Sequence, residues 1–187
     1  MRIIAGTARG RNFDAPKGRS TRPTLDRVKE AMFGMVQFDI EGRQVLDLFA
    51  GSGNLGLEAL SRGAAHVVFC DNDRAASELV RRNAELLGFS DRARIVCSDC
   101  FMLLKQLSLE GMRFSLVLLD PPYAAGLTER VLEDMAKLKL LTDGCIILAE
   151  HSWKLPLSLD IPGMVCREPR RYGDAAVTLI RYRSEKI

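Results

Sequence analysis

The chain has few of the residues that build metal centres and no segment that would anchor it in a membrane. It carries only two histidines, His66 and His151, far apart in sequence, and five cysteines, of which Cys97 and Cys100 form one close pair. A single Cys-x-x-Cys with no second pair and no neighbouring histidine does not make a zinc site, so no metal is expected. An odd set of scattered cysteines in 187 residues also excludes a disulfide framework and points to reduced thiols in a core. No apolar run approaches the roughly 20 residues of a membrane span. The opening MRIIAGTARGR lacks a signal peptide's apolar core, and its strand-like alternation with Asp14 nearby argues against a transit peptide. A cytoplasmic location is expected, and no membrane partner. Repeats and low-complexity tracts are absent.

What is present is enough apolar sequence, 47%, for one domain with a small extension, and an uneven charge. Net charge is only +3, yet residues 1–30 hold eight Lys/Arg against three acids, a local +5 beside −2 for the remainder. Such a basic segment suits a polyanion, although a solvated Arg-rich face would look the same. Residues 1–15 read as a small hairpin broken by Gly6 and Gly10 that exposes Arg9 and Arg11. A loop from Pro16 to Pro23 leads to a helix capped by Thr24, whose apolar face is Leu25, Val28, Met32, Met35 and Val36. Arg22, Arg27 and Lys29 stand near its start, where they could face a cofactor or a phosphate.

The organising stretch is VLDLFAGSGNLG, residues 45–56. Val45, Leu46, Leu48 and Phe49 suit a buried parallel strand, and Gly51, Gly53 and Gly56 fit the glycine-rich turn that lets backbone approach a ligand at a strand's C-terminal end. Asp47 sharpens that weak signal. A carboxylate in an apolar strand needs a partner, because an unpaired buried charge costs several kcal/mol. A dinucleotide would bring a pyrophosphate; S-adenosylmethionine brings an ammonium and a sulfonium, so the acid favours S-adenosylmethionine, unless Asp47 merely caps the turn.

Downstream, alternating strands and helices continue. Leu55–Arg62 is helical, and His66–Cys70 is a strand ending at Asp71, where an acid accepts from ribose hydroxyls of either NAD or S-adenosylmethionine. Asp73 caps a helix to Leu87. Arg94–Cys97 is a strand, after which Ser98-Asp99 either borders an adenine or caps the helix from Cys100 to Leu107. Phe114–Leu119 delivers Asp120-Pro121-Pro122-Tyr123 to the same sheet edge. An exocyclic base amine is a poor nucleophile; acceptors on both its N–H groups steer its lone pair and stabilise developing charge. Asp120 and the Pro121 carbonyl offer such acceptors in a stiff Pro-Pro geometry, and Tyr123 offers a stacking face for a base swung out of its helix or loop. An ordinary proline turn is the plainer reading. A helix over 127–139 and a strand over 145–149 follow, then an antiparallel pair of 164–167 and 175–182 across the connection 170–173. His151 and Trp153 read as structural.

The blocks RIIAGTARGR (2–11), RPTLDRVKEAMF (22–33), DLFAGSGNLGLEALSRGA (47–64), DPPY (120–123) and YGDAAVTLIRY (172–182) resemble the RsmD family of ribosomal RNA methyltransferases nearly end to end. The resemblance implies an α/β fold, a class I (Rossmann-like) sheet of seven strands with the last antiparallel, spanning 41–187 after an RNA-contacting extension at 1–40. It implies methyl transfer from S-adenosylmethionine to a guanine N2 in 16S rRNA; the need to flip the base and the modest basic patch add the expectation of a target within the 30S subunit or its assembly intermediate, and a monomer is expected. It assigns Asp47, Gly51 and Gly53 to the methionine end, Asp71 to the ribose and Ser98 and Asp99 to the adenine side, with Phe49, Ala50 and Asn72 also at the cofactor. Asp120 to Tyr123 would hold the amine, with Asp120 also beside the cofactor, and Arg9, Arg11, Arg22, Arg27 and Lys29 would meet RNA. The chain departs from the family in having Asp71 where Glu is common and Asn54 where a small apolar residue is frequent. Rival readings are an adenine-N6 or cytosine-N4 methyltransferase acting on DNA or other RNA, for which the chain lacks room for a target-recognition insert, an NAD-dependent oxidoreductase, and an idle RNA-binding protein.

Overall fold

A computed structural model describes residues 1–16, 23–122 and 126–184. At its centre lies β1 (Gln44–Asp47), whose Val45 and Leu46 are fully buried, as a parallel strand with layers on both faces requires. After it, α2 (Asn54–Ser61), β2 (His66–Asp71), α3 (Arg74–Leu87), β3 (Ala93–Cys97), α4 (Cys100–Leu109), β4 (Phe114–Leu119), α5 (Leu127–Lys137) and β5 (Leu141–Ser152) alternate along the chain; α1 (Pro23–Gly34) precedes them. Asp73 caps α3 by accepting from the Ala75 N–H, and Gly88 at φ +77° ends it. Strand β1 pairs in parallel with β2 on one side and β4 on the other, Asp47 lying opposite both Phe69 and Leu118. The chain runs outward through β2 and β3 and then returns across β1 to β4 and β5. This reversal makes the C-terminal ends of β1 and β4 the switch point where open α/β sheets bind ligands.

The far side closes with β6 (Met164–Cys166), β7 (Arg170–Tyr172) and β8 (Ala175–Tyr182), giving the order β3-β2-β1-β4-β5-β8-β6. Both β6 and β7 run antiparallel to β8 on the edge away from β5, in registers that differ by one residue, so they fill one strand position in two pieces. The sheet therefore has seven positions, with antiparallel β8 inserted beside β5. Residues 170–172, expected as connection, are strand; the turn is Gly173-Asp174 alone, with Gly173 at φ +67°. Pairing there covers backbone groups that β8 would otherwise leave open. Strand β5 is also longer than its apolar run. Leu141 already pairs with Phe114 across an irregularity at 142–145, and Glu150 to Ser152 pair with β8 despite their polarity.

Residues 1–16 pack into the same core as the sheet. The Ile3 N–H donates to the Arg11 carbonyl at 2.9 Å and the Gly10 N–H to the Ile3 carbonyl at 2.9 Å, the hairpin pattern expected. Its apolar side chains Ile3, Ala8 and Phe13 join Met32, Phe33, Leu57 and Phe69 on one face of the sheet. Burying each of the large ones contributes about 1.5–3 kcal/mol. Gly6, at φ +82°, seats the hairpin on α2. A Cβ there would lie 1.8 Å from the Ser61 carbonyl oxygen, to which Thr7 donates its N–H at 2.7 Å. Helix α1 begins one residue before Thr24, the expected cap.

A buried polar network also ties the extension to α2. Glu58 on α2, fully buried, accepts from the backbone N–H groups of Ile4 at 2.8 Å and Ala5 at 3.0 Å and from Arg62 Nε at 2.8 Å. Lys29 Nζ stands 3.5 Å from it and donates to the Arg2 carbonyl at 2.7 Å and to Asn54 Oδ1 at 2.8 Å.

Candidate active site

At the switch point the strand ends surround a cavity of about 670 Å³, within the size usual for small-molecule sites. Asp47, Phe49, Ala50 and Gly51 reach it from the β1 turn, Asp71 and Asn72 from β2, Ser98 and Asp99 from β3, and Asp120, Pro121 and Pro122 from β4. These residues are spread over 76 positions of sequence, and parallel strands bring them to one edge. Gly53 does not line the cavity. It precedes α2 at φ +83°, with Leu57 and Val80 against the position of a Cβ, so its role is to turn the chain into the helix. Gly56 is needed for packing, because a Cβ would stand 2.2 Å from the Phe69 ring.

Asp47 is 1% exposed, and its Oδ2 accepts the Gly56 N–H at 2.8 Å. Its Oδ1 is buried with no partner among the described residues. Burial above all, with added repulsion from Asp120 and Asp71, pushes this carboxyl up to about 7 against the one bond from Gly56. A buried acid with a spare oxygen in a cavity wall fits a ligand that brings a cation, as the ammonium of S-adenosylmethionine does. The sign of the pH dependence follows. Free protein near neutrality holds Asp47 half protonated, and a cation favours the charged form, so affinity for a cationic ligand falls as pH drops. We expect the Kd of S-adenosylmethionine to rise by up to about tenfold per pH unit below 7, with proton release near pH 7. Calorimetry from pH 5.5 to 8 in buffers of different ionisation enthalpy measures both; a flat profile contradicts the assignment. Without ligand, this group's contribution to stability declines as pH rises between about 4 and 7, where the unfolded chain has lost a proton that the native state keeps.

Asp71 Oδ2 accepts the Gly51 N–H at 2.8 Å and its Oδ1 the Asp73 N–H at 2.9 Å, so it braces the glycine turn as well as facing the cavity. Asp99 is a helix cap: its Oδ1 accepts from Phe101 at 2.9 Å and Met102 at 3.1 Å while the residue also borders the cavity. Lys29 is corrected. Only 1% exposed, it is turned inward to Glu58, and burial lowers its pKa, so it has no surface for an RNA phosphate. Arg11 is exposed, but its guanidinium already donates to the carbonyls of Leu86 and Leu87 at the end of α3, leaving it part structural. Arg9 and Arg27 are exposed. Tyr123 and Arg22 lie outside the described residues.

Sequence reasoning missed three contributors from the extension, Met1, Ala15 and Pro16, which close one side of the cavity, and it missed Glu150. The hairpin signal could not say what the hairpin covers. Glu150 is 7% exposed at the end of β5, beyond the apolar run that marked that strand. His151 beside it is structural, as its isolation suggested: Nδ1 lies 3.0 Å from the Ser152 carbonyl, an acceptor, and therefore carries a proton, while Nε2 pairs with Thr178 Oγ1 at 2.9 Å.

Strand order, glycine turn and the Asp-Pro-Pro edge together define a methyltransferase of the class I, Rossmann-like fold. The family model described as conserved hypothetical protein 95 matches residues 1–181. The chain belongs to this family, the RsmD family that its motifs resemble. It is 36% identical to YlbH of Bacillus subtilis, a candidate rRNA methyltransferase, over 98% of this chain and all of that one. It is 39% identical to ribosomal RNA small subunit methyltransferase D of Escherichia coli, over 80% of this chain and 74% of that one. The solved structure of yhhF from Escherichia coli, a candidate methyltransferase, superposes with a TM-score of 0.87 and 32% identity over 99% of both chains.

Proposed function

We propose that the protein transfers a methyl group from S-adenosylmethionine to the exocyclic N2 amine of a guanine in 16S ribosomal RNA, in the cytoplasm and on the 30S particle or its precursor. The observation that carries this reading is the meeting, in one cavity, of Asp47 Oδ1, without a partner among the described residues, with the Asp120-Pro121-Pro122 edge. Membership of a family that includes ribosomal RNA methyltransferases supports the RNA substrate.

Bound S-adenosylmethionine supplies an electrophilic methyl group. The chain's own residues do the rest. Asp47 would hold the cofactor's ammonium end, the Gly51 turn, braced by Asp71, would let the backbone approach it, and Asp71 with Asn72 would meet the ribose. Asp120 and the Pro121 carbonyl accept the two N–H groups of the target amine and orient its lone pair; the carboxylate stabilises the positive charge that grows on nitrogen. Arg9 and Arg27 supply phosphate contacts, whose strength falls with salt.

Radiolabelled methyl transfer to 16S RNA, to 30S particles and to duplex DNA tests the reading, with the product nucleoside identified by mass spectrometry. N2-methylguanosine in a ribosomal substrate is the expected result. Label in DNA adenine, or none anywhere, overturns it.

A further inference from the structure

A second cavity, of about 230 Å³, opens on the other side of the Asp-Pro-Pro edge. Among the described residues, Pro121, Pro122 and Glu150 line both cavities and form the wall between them. Its remaining walls divide by chemistry. Leu155, Pro156 and Leu157 are apolar, as a planar ring requires, whereas Thr128 and Glu129 at the start of α5 and Ser152 at the end of β5 are polar, Glu129 lying off the shared wall and accepting the Ser158 N–H at 3.4 Å. His151 is also there, but both its ring nitrogens are engaged within the protein. Glu150 is the carboxylate at the junction, held in a strand by its register with Val177 of β8 and on the sheet face opposite His151.

The geometry points to this second cavity as the seat of the flipped target base, and to Glu150 as the residue that selects guanine by accepting its N1–H. The inference rests on the guanine-N2 reading above and deepens it. Guanine presents two adjacent donors on its Watson–Crick edge, N1–H and the N2 amine. A base entering from the second cavity with its amine toward Pro121, and past it toward Asp120 in the first cavity, brings N1–H toward the carboxylate that the two cavities share, which is Glu150. Adenine and cytosine present a lone pair, at N1 and N3, beside their amines. Against a carboxylate that lone pair is repelled, and no hydrogen bond replaces the lost hydration. The Asp-Pro-Pro edge serves any exocyclic amine; Glu150 supplies the discrimination it lacks.

The test uses 30S particles whose 16S RNA carries either guanine or 2-aminopurine at the position that the wild-type protein methylates. 2-Aminopurine keeps the N2 amine but has a lone pair at N1. Wild type should prefer guanine by about 10²-fold or more in kcat/KM. Glu150→Gln, whose amide offers an acceptor or a donor, should shrink that ratio below about tenfold, with a native circular dichroism spectrum and cooperative thermal unfolding as the check on folding. A folded Glu150→Gln protein that keeps the full ratio overturns the inference while leaving the guanine reading intact. If the variant does not fold, the wild-type ratio decides: equal rates on the two bases overturn it. Label on a base other than guanine brings down the guanine reading first and this inference with it.

Discussion

Replacing Asp120 with alanine lowers kcat for methyl transfer by about 10²–10³-fold, the range seen when one preorganised partner of a developing charge is removed. Two physical reasons place the loss in kcat. The carboxylate acts on charge that exists only as the amine attacks, and the interaction it makes with a neutral ground-state amine is weak. Cofactor affinity should change little, because Asp47, Asp71 and the glycine turn remain, and loss of a neighbouring negative charge makes Asp47 easier to ionise. Asp120→Asn keeps an acceptor oxygen without the charge and should fall between. Single-turnover transfer from labelled cofactor at saturating RNA measures the effect. An alanine variant as fast as wild type would show that the edge binds without catalysing.

Replacing Glu58 with alanine should have the largest effect on stability. The side chain takes bonds from two backbone amides and Arg62 and faces a buried ammonium, so removal strands Lys29 and leaves the Ile4 and Ala5 amides unsatisfied. Breaking a buried pair in this way costs about 3–5 kcal/mol. In a chain of this size the midpoint should fall by roughly 10 °C or more, readable by calorimetry. Lys29→Met should cost less, since Glu58 keeps its other partners. The double variant Lys29→Met with Glu58→Leu removes the stranded charge but not the need of the two amides for an acceptor. It should therefore regain much of the stability while hydrogen exchange at Ile4 and Ala5 stays fast. Cofactor affinity should suffer in both Glu58 variants, because the loosened extension carries Met1, Ala15 and Pro16 away from the cavity.

The features legible in sequence were those written in contiguous residues. The glycine turn, Asp47, the Asp-Pro-Pro edge and the caps at Asp73 and Gly88 each depend on a few neighbours, and period and composition reveal them. Phe114–Leu119 and Ala175–Tyr182 fall where their apolar runs put them. The features missed are products of long-range packing. Lys29 sits among Asp26, Arg27 and Glu30 in a charged stretch of α1 and looks like a surface residue; its buried partner is Glu58, 29 positions away on another helix. Glu150 reads as the polar end of a strand until β8 pairs with it. Arg170 to Tyr172 look like a charged connection because their strand is short and on an edge, where an apolar face is not required.

The docking of the extension also sets an order of events. During synthesis residues 1–16 emerge first, yet their anchors lie far downstream: Glu58 and Ser61 on α2, then Asn83 on α3, whose Oδ1 accepts the Asp14 N–H at 3.0 Å. Contacts of such sequence separation form slowly, since loop closure must be met before they gain anything. The amino-terminal hairpin must therefore wait, with Ile3 and Phe13 uncovered, until α3 has left the ribosome. The wall it adds to the cavity can close once α3 has emerged, whereas β4 and the Asp-Pro-Pro edge are synthesised later, so a nascent chain can hold the cofactor only after both have formed.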